Sequence, residues 1–186
     1  MKLFFSWWWW IVVIATTSVS VSAYHNLILI GMPDSGKSFL GKHLATVLKI
    51  PYYDVDEIHP LLQAQKSTKQ DWHRFRKTEW EIMKQLLSKK ETKIISTGGG
   101  CIEYPCTYQR LLSRVQDQDI VVHIIRDNSV RAQNSPKNLP DDNRARLWEK
   151  RGKYYFMLSD TDYWNRETST TDDFVNWWRS YASSDL

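Results

Sequence analysis

Short apolar runs alternate with longer amphipathic stretches along this chain. Residues 27–30 and 120–125 are nearly continuous apolar runs, which are typical of strands covered on both faces of a parallel sheet. Further short strands are indicated near residues 50–56, 93–97 and 163–164. Helical spacing occurs over residues 39–48, 73–87, 104–114 and 144–158 and in a last helix from Thr170 or Thr171. The alternation predicts an α/β fold with a parallel sheet. In the first helix, the predicted inner face consists of Phe39, Leu40, Leu44, Val47 and Leu48.

A glycine-rich loop joins the first strand to the first helix. Residues 31–38 read Gly-Met-Pro-Asp-Ser-Gly-Lys-Ser and fit the P-loop pattern. The glycines let backbone N–H groups point at phosphate oxygens, and the helix N-terminus adds the positive end of its dipole. Lys37 can reach the outer phosphates, and the Ser38 hydroxyl can bind Mg²⁺. We therefore expect a nucleoside triphosphate at Gly31, Asp34, Ser35, Gly36, Lys37, Ser38 and Phe39.

Two carboxylates follow the strand that begins near Pro51. Asp54 and Asp56 would share one face of a strand or flank its end. Beside a P-loop, Asp54 could hold Mg²⁺ through water, and Asp56 could accept a proton from a substrate hydroxyl. The alternative is a polar strand end with Asp56 as a helix cap, and the spacing alone does not choose between them.

The strand at residues 93–97 leads into Gly98-Gly99-Gly100. Three consecutive glycines favour close approach of the backbone to a ligand or a partner segment, and the alternative is a flexible loop.

Before this strand, the helix predicted from His73 carries basic residues near its start, where a cation opposes the helix dipole. These residues, Arg74, Arg76 and Lys77, indicate a bound anion or are simply solvated.

Composition narrows the function classes only a little. The 186 residues are enough for one domain. They carry 25 basic and 21 acidic side chains, a net charge of +4, with no long like-charge run. This balance suits a protein that handles anionic ligands, and nucleic acid is not expected as a partner. Cys101 and Cys106 are too few for a disulfide framework and lack metal-ligand spacing with the histidines, so reduced thiols are expected.

Residues 1–23 differ from the rest of the chain. A lysine at position 2, an apolar stretch over 3–15 and the ending Val21-Ser22-Ala23 are typical of a signal peptide. The apolar part is short for a membrane span. Export conflicts with a need for a triphosphate, so either translation begins near Val19 or Val21 or the protein enters an ATP-containing organelle. We expect a domain over residues 24–186, without stable membrane association, in the cytoplasm; organellar or exported locations are the alternatives.

Taken in order, these landmarks resemble the shikimate kinase family. The matching segments are Gly-x-x-x-x-Gly-Lys-Ser (31–38), Tyr-Asp-x-Asp (53–56), Phe-Arg-x-x-Glu (75–79), Ser-Thr-Gly-Gly-Gly (96–100) and Arg-x-x-x-Tyr-x-x-x-Ser-Asp (151–160). The resemblance implies a P-loop NTPase-type, nucleoside-monophosphate-kinase-like three-layer sandwich with about five parallel strands and a mobile lid. It also implies a monomer that phosphorylates the 3-hydroxyl of shikimate with ATP and Mg²⁺, in aromatic amino acid biosynthesis.

The same resemblance implies individual roles. Asp56 looks like the catalytic base that contacts the shikimate hydroxyl, and Asp54 looks like the carboxylate on the Mg²⁺ side. Arg76 and Arg151 look like the pair that grips the shikimate carboxylate. Gly99, flanked by Gly98 and Gly100, would contact shikimate through its backbone, and Glu79 would orient Arg76 from one helical turn away.

The chain departs from the family pattern at the lid. The usual Arg-Pro-Leu-Leu is replaced within the predicted lid, residues 134–143, by Pro136-Lys137-Asn138-Leu139-Pro140. Lys137 could supply the catalytic charge but not the planar fork of an arginine. Arg166 and Asn165 lie where the family's adenine-side loop is expected. The alternatives are a kinase for another hydroxy acid such as gluconate, and a non-catalytic nucleotide-binding relative.

Overall fold

A five-stranded, all-parallel sheet lies at the centre of the computed structural model, which describes residues 26–58, 69–113, 119–126 and 141–184. Its strands are β1 (Asn26–Ile30), β2 (Tyr52–Asp54), β3 (Lys93–Ser96), β4 (Ile120–Arg126) and β5 (Thr161–Asn165). Their order in space is β2-β3-β1-β4-β5. The predicted α/β class and parallel sheet are confirmed.

Helices cover both faces of the sheet and complete three layers. They are α1 (Lys37–Leu48), α2 (Val55–Ile58), α3 (Lys69–Leu87), α4 (Pro105–Leu112), α5 (Asp141–Leu158) and α6 (Thr171–Ser184). Side chains of β1 alternate between the layers. Leu27 and Leu29 pack with α1 and α6, whereas Ile28 and Ile30 pack with α3, α4 and α5.

Three adjacent strands, β2, β3 and β1, bring the predicted site segments to one edge of the sheet. Asp54 is in register with Ser96, which is in turn in register with Leu29. The Thr97 hydroxyl and N–H both donate hydrogen bonds to the Leu29 carbonyl, at 3.0 and 3.1 Å. The P-loop, the carboxylate pair and the triple glycine therefore begin side by side at the carboxyl ends of parallel strands, where ligands bind in such sheets.

Some helix predictions are corrected. Helix α3 begins at Lys69, before the predicted His73, so Arg74, Arg76 and Lys77 lie beyond the first turn. The dipole argument for an anion near them is therefore wrong, because the dipole acts within the first turn. Helix α5 likewise begins at Asp141, inside the segment predicted as lid.

The inner face of α1 was also predicted incorrectly at two positions. Phe39 is 69% exposed and Val47 is exposed, whereas Leu40, Leu44 and Ala45 are buried against the sheet. When two adjacent residues are both apolar, composition does not decide which of them faces the core. Helix α1 turns Leu40 inward, and its neighbour Phe39 therefore points to solvent.

Several predictions fall on residues that the structure does not describe. They are the leader 1–23, the start of the domain at Tyr24, and the lid segment 134–140 with Lys137. Within the described ranges, no helix is long and apolar enough to span a membrane. Cys101 is a buried free thiol and Cys106 an exposed one, as predicted.

Candidate active site

The P-loop wraps around the N-terminus of α1. Gly31 and Gly36 have φ angles of 143° and 97°, which favour glycine. A Cβ on Gly31 would also lie 2.5 Å from the Ile124 carbonyl oxygen. Gly36 precedes α1, and no described side chain caps the helix there. The first N–H groups of α1 thus remain available for phosphate oxygens.

Lys37 folds back onto this loop. Its Nζ atom donates hydrogen bonds to the Gly31 carbonyl at 3.0 Å and the Met32 carbonyl at 2.9 Å. Burial lowers the pKa of the ammonium, while nearby acidic groups, Asp56 foremost, act in the opposite direction. Backbone oxygens of the loop therefore hold the lysine against it.

Asp54 connects the carboxylate pair to the P-loop. Its Oδ1 accepts a hydrogen bond from the Asp56 N–H, and its Oδ2 accepts one from the Tyr52 hydroxyl, both at 2.9 Å. The carboxylate that caps α2 is therefore Asp54, not Asp56. Burial and Asp54 raise the pKa of Tyr52, and its hydroxyl also interacts with Ser38. Ser38 and Asp54 thus both interact with one neutral hydroxyl.

This donor set fits the magnesium ion that the sequence predicts. Mg²⁺ prefers oxygen ligands and is usually held by one or two protein groups together with substrate phosphates and water. The Asp54 carboxylate has lone pairs beyond the two that already accept hydrogen bonds. Ser38 and Asp54 would hold the ion, with the phosphates supplying further oxygens.

The triple glycine packs against three parts of the site. A Cβ on Gly98 would overlap Glu79 and lie 2.8 Å from Asp56 Oδ1. A Cβ on Gly99 would lie 2.7 Å from the backbone nitrogen of Pro33 in the P-loop. A Cβ on Gly100 would overlap the Arg76 guanidinium. Close approach to partner segments is therefore confirmed.

Two arginines meet beside these glycines. Arg76 pairs with Glu79 at 2.5 Å between Nη1 and Oε2, which is the contact that the predicted orienting role requires. Arg151, on α5, donates from Nη1 to the Gly99 carbonyl at 3.2 Å, and the Tyr155 hydroxyl donates to the same oxygen. A Cβ on Gly100 would lie 3.0 Å from Arg151 Nη2, so both arginines reach the same glycine.

Sequence reasoning missed an acidic residue at this pair. Glu103 ends the 3₁₀ turn Cys101–Glu103 that follows the glycines. Its Oε2 accepts a hydrogen bond from Arg151 Nη2 at 3.0 Å and lies 3.7 Å from Arg76 Nε. Its Oε1 accepts one from Lys150 Nζ at 2.6 Å. The only signal in the sequence is its position three residues after Gly100.

Residues at the ends of β4 and β5 contact the P-loop. Arg166 is exposed, and its N–H donates to Ser169 Oγ at 3.0 Å. The preceding residue, Asn165, instead donates from its side chain to the Ser35 carbonyl at 2.9 Å. Arg126, at the end of β4, donates to the Asp34 carbonyl at 3.5 Å. Neither contact was predicted.

The comparisons with known proteins agree with this geometry. The family model described as shikimate kinase matches residues 33–173. The chain belongs to the shikimate kinase family. A pentafunctional AROM polypeptide from Pneumocystis carinii is 33% identical over 157 residues, which are 78% of this chain and 10% of that polypeptide. The chain thus spans about a tenth of the AROM polypeptides that it matches.

Proteins named simply as shikimate kinases also match. A shikimate kinase from Francisella tularensis subsp. holarctica is 34% identical over 96 residues, covering 48% of this chain and 53% of that protein. The structure of a shikimate kinase from Acinetobacter baumannii in complex with shikimate superposes with a TM-score of 0.71 and 20% identity, covering 91% of this chain and 99% of that one. At that identity the likeness concerns the fold.

Proposed function

We propose that this chain transfers the γ-phosphoryl group of ATP to the 3-hydroxyl of shikimate. The observation that carries the proposal is that Arg76 and Arg151 meet at Gly100, two residues along from the glycine beside Asp56. Arginine forks recognise a carboxylate by paired hydrogen bonds. A carboxylate on this pair leaves the rest of a small ring acid directed towards Asp56 and the P-loop.

The proposed reaction needs one proton transfer and one displacement. Asp56 accepts the proton of the acceptor hydroxyl while the hydroxyl oxygen forms its bond to the γ-phosphorus. The bond between that phosphorus and the oxygen bridging to the β-phosphate breaks, and ADP leaves. Such transfers depend chiefly on alignment and on neutralising phosphate charge.

Charge neutralisation is assigned to the P-loop. Lys37 would turn from the Gly31 and Met32 carbonyls to the transferring phosphate, a short movement because its Nζ already lines the loop. The N–H groups at the start of α1 would bind the remaining phosphate oxygens. Ser38 and Asp54 would hold Mg²⁺, which would supply further positive charge to the phosphates. Lys137 stays a predicted contributor outside the described residues.

Shikimate-dependent ADP formation by the full chain, with ATP and Mg²⁺, tests the proposal. Gluconate and an acceptor-free sample are the controls. Turnover that occurs with shikimate and not with gluconate supports shikimate as the acceptor. Faster turnover with gluconate than with shikimate would make gluconate the acceptor instead. Folded protein that binds ATP but turns over neither acid would contradict the kinase and favour a nucleotide-binding relative. The cytoplasmic location and the monomeric state stay predictions.

A further inference from the structure

One carboxylate of the protein already contacts both arginines of the acceptor site. Glu103 Oε2 lies 3.0 Å from Arg151 Nη2 and 3.7 Å from Arg76 Nε. The 3₁₀ turn that carries Glu103 is held by the Glu103 N–H, which donates to the Gly100 carbonyl at 3.0 Å. The glutamate therefore makes the kind of contact that the proposed function gives to the acceptor's carboxylate.

The arginines do not depend on Glu103 for their orientation. Arg76 is paired with Glu79, whose side chain is only 1% exposed, and Arg151 is bonded to the Gly99 carbonyl. The Nε atoms of both arginines are buried and donate no hydrogen bond within the described part of the chain. The pair thus has independent anchors and spare donors, and removing Glu103 leaves it assembled.

Exposure places Glu103 on the solvent side of the pair. The side chains of Arg76 and Arg151 are 11% and 9% exposed, whereas that of Glu103 is 24% exposed and that of Lys150 is 67% exposed. Because Oε1 is already bonded to Lys150, the carboxylate can swing outward and keep one charged partner. A route for displacement therefore exists without leaving a buried, unpaired charge.

The net charge around the arginine pair lets Glu103 and the carboxylate of an acceptor compete for the same positive groups. Arg76, Arg151 and Lys150 carry three positive charges, and Glu79 and Glu103 carry two negative ones, which leaves one positive charge for an incoming anion. Burial would raise the pKa of Glu103, but the hydrogen bonds from Lys150 and Arg151 outweigh it and hold the pKa below its ordinary value. Glu103 is therefore ionised at neutral pH, where it competes with another carboxylate.

We propose that Glu103 is an internal carboxylate that occupies the Arg76–Arg151 pair until an acceptor binds and then yields it to the carboxylate of the acceptor. On this basis Glu103 sets the affinity of the site for acids. The inference rests on the proposed function, because it takes the acceptor's carboxylate to bind between these arginines.

Substituting Glu103→Gln removes the competing charge and keeps the size of the side chain. We expect the Kd for shikimate, measured by calorimetry without ATP, to fall about twofold to fivefold, the range for a partly exposed ion pair. The Kd for the uncharged methyl ester of shikimate should not change. Glu149→Gln, an exposed position on the same helix as Arg151, is the matched control for net charge and should leave both Kd values as in the parent.

A rise in the shikimate Kd of Glu103→Gln would overturn the proposal, because it would make Glu103 a support for the arginines. An unchanged Kd would also overturn it. A parallel improvement for the methyl ester would overturn it as well, since a carboxylate competitor acts only on acids. Turnover of shikimate by the parent tests the proposed function. The comparison of shikimate Kd values between Glu103→Gln and the parent tests the role of Glu103 separately.

Discussion

The side-chain amide of Asn165 donates a hydrogen bond to the Ser35 carbonyl at 2.9 Å, so the end of β5 is tied to the middle of the P-loop. The same amide lies against Gly36, where an added Cβ would overlap it. Asn165 therefore holds the loop in the shape that Gly31 and Gly36 permit. It is a positioning residue, since it would act on the nucleotide through the loop.

Asn165→Ala should raise the KM for ATP about fivefold, because a hydrogen bond of this kind contributes about 1 kcal/mol. The Kd for shikimate without ATP should stay unchanged, since the acceptor site lies on other elements. Steady-state kinetics with ATP varied measures the first effect, and calorimetry with shikimate alone measures the second. Thr168→Ala, on the exposed turn after β5, is the control. Equal loss for both substrates would show general loosening of the fold instead.

Asp56→Asn tests the assignment of the catalytic base. The amide keeps the shape of the side chain but cannot accept a proton from the acceptor hydroxyl. We expect kcat to fall by about 10²- to 10⁴-fold, while the Kd values for ATP and shikimate stay close to those of the parent. The adjacent Glu57→Gln, which changes an exposed carboxylate paired with Lys42, should leave kcat unaltered. A normal kcat in Asp56→Asn would remove Asp56 from the mechanism.

Gly100→Ala tests how tightly the triple glycine packs against Arg76. The added methyl group would overlap the guanidinium and force Arg76 away from Glu79 and the acceptor. A hydrogen bond to a charged group contributes about 1.5–3 kcal/mol, so the KM for shikimate should rise about tenfold to a hundredfold. The Kd for ATP, measured on the same variant, serves as the internal control. An unchanged shikimate KM would mean that Arg76 does not hold the acceptor.

The buried Lys37 predicts a particular dependence of stability on pH. Burial lowers its pKa below the ordinary 10.5, so between the two values the unfolded chain binds more protons than the folded one. The free energy of unfolding of the parent should therefore rise relative to Lys37→Met as the pH increases between the lowered pKa and 10.5. Urea unfolding of both proteins across that range measures the difference.

Lys42 provides a control of opposite sign. The hydrogen bond that it donates to Glu57 raises its pKa, so any stabilisation is complete below 10.5 and is lost as the pH rises through the folded-state value. Relative to Lys42→Met, the parent should lose stability above pH 10.5. If both comparisons moved in the same direction, burial would not be what distinguishes the two lysines.

Local pattern was sufficient for the sheet and for the segments at its edge. Each apolar run has to be buried on both faces, and Gly31, Gly36 and Lys37 belong to a motif whose spacing follows from phosphate binding. The pairing of Arg76 with Glu79 is also local, because they are separated by one helical turn, but it was predicted from the family resemblance. These features depend on residues that are close together along the chain, and such residues can be compared within a single sequence.

Contacts between distant segments were not accessible in this way. Glu103 meets Arg151 across 48 positions, and Asn165 meets Ser35 across 130 positions. Neither residue type has a spacing that predicts its partner. The start of α3 was missed for another reason, since residues 58–71 lack helical periodicity and the helix nevertheless extends back to Lys69. Tertiary packing, not local propensity, decides such boundaries.

The strand order β2-β3-β1 also sets the earliest stage of synthesis at which the phosphate loop and the two carboxylates can be held together. β1 and β2 are made early and follow one another in the chain, but they are not neighbours in the sheet, because the later strand β3 lies between them. A ribosome-bound chain that has released only residues up to Asp56 therefore carries the phosphate loop and both carboxylates without a surface that holds them together. Arrival of β3 supplies that surface, and newly made protein gains the capacity for catalysis only after this strand has been inserted.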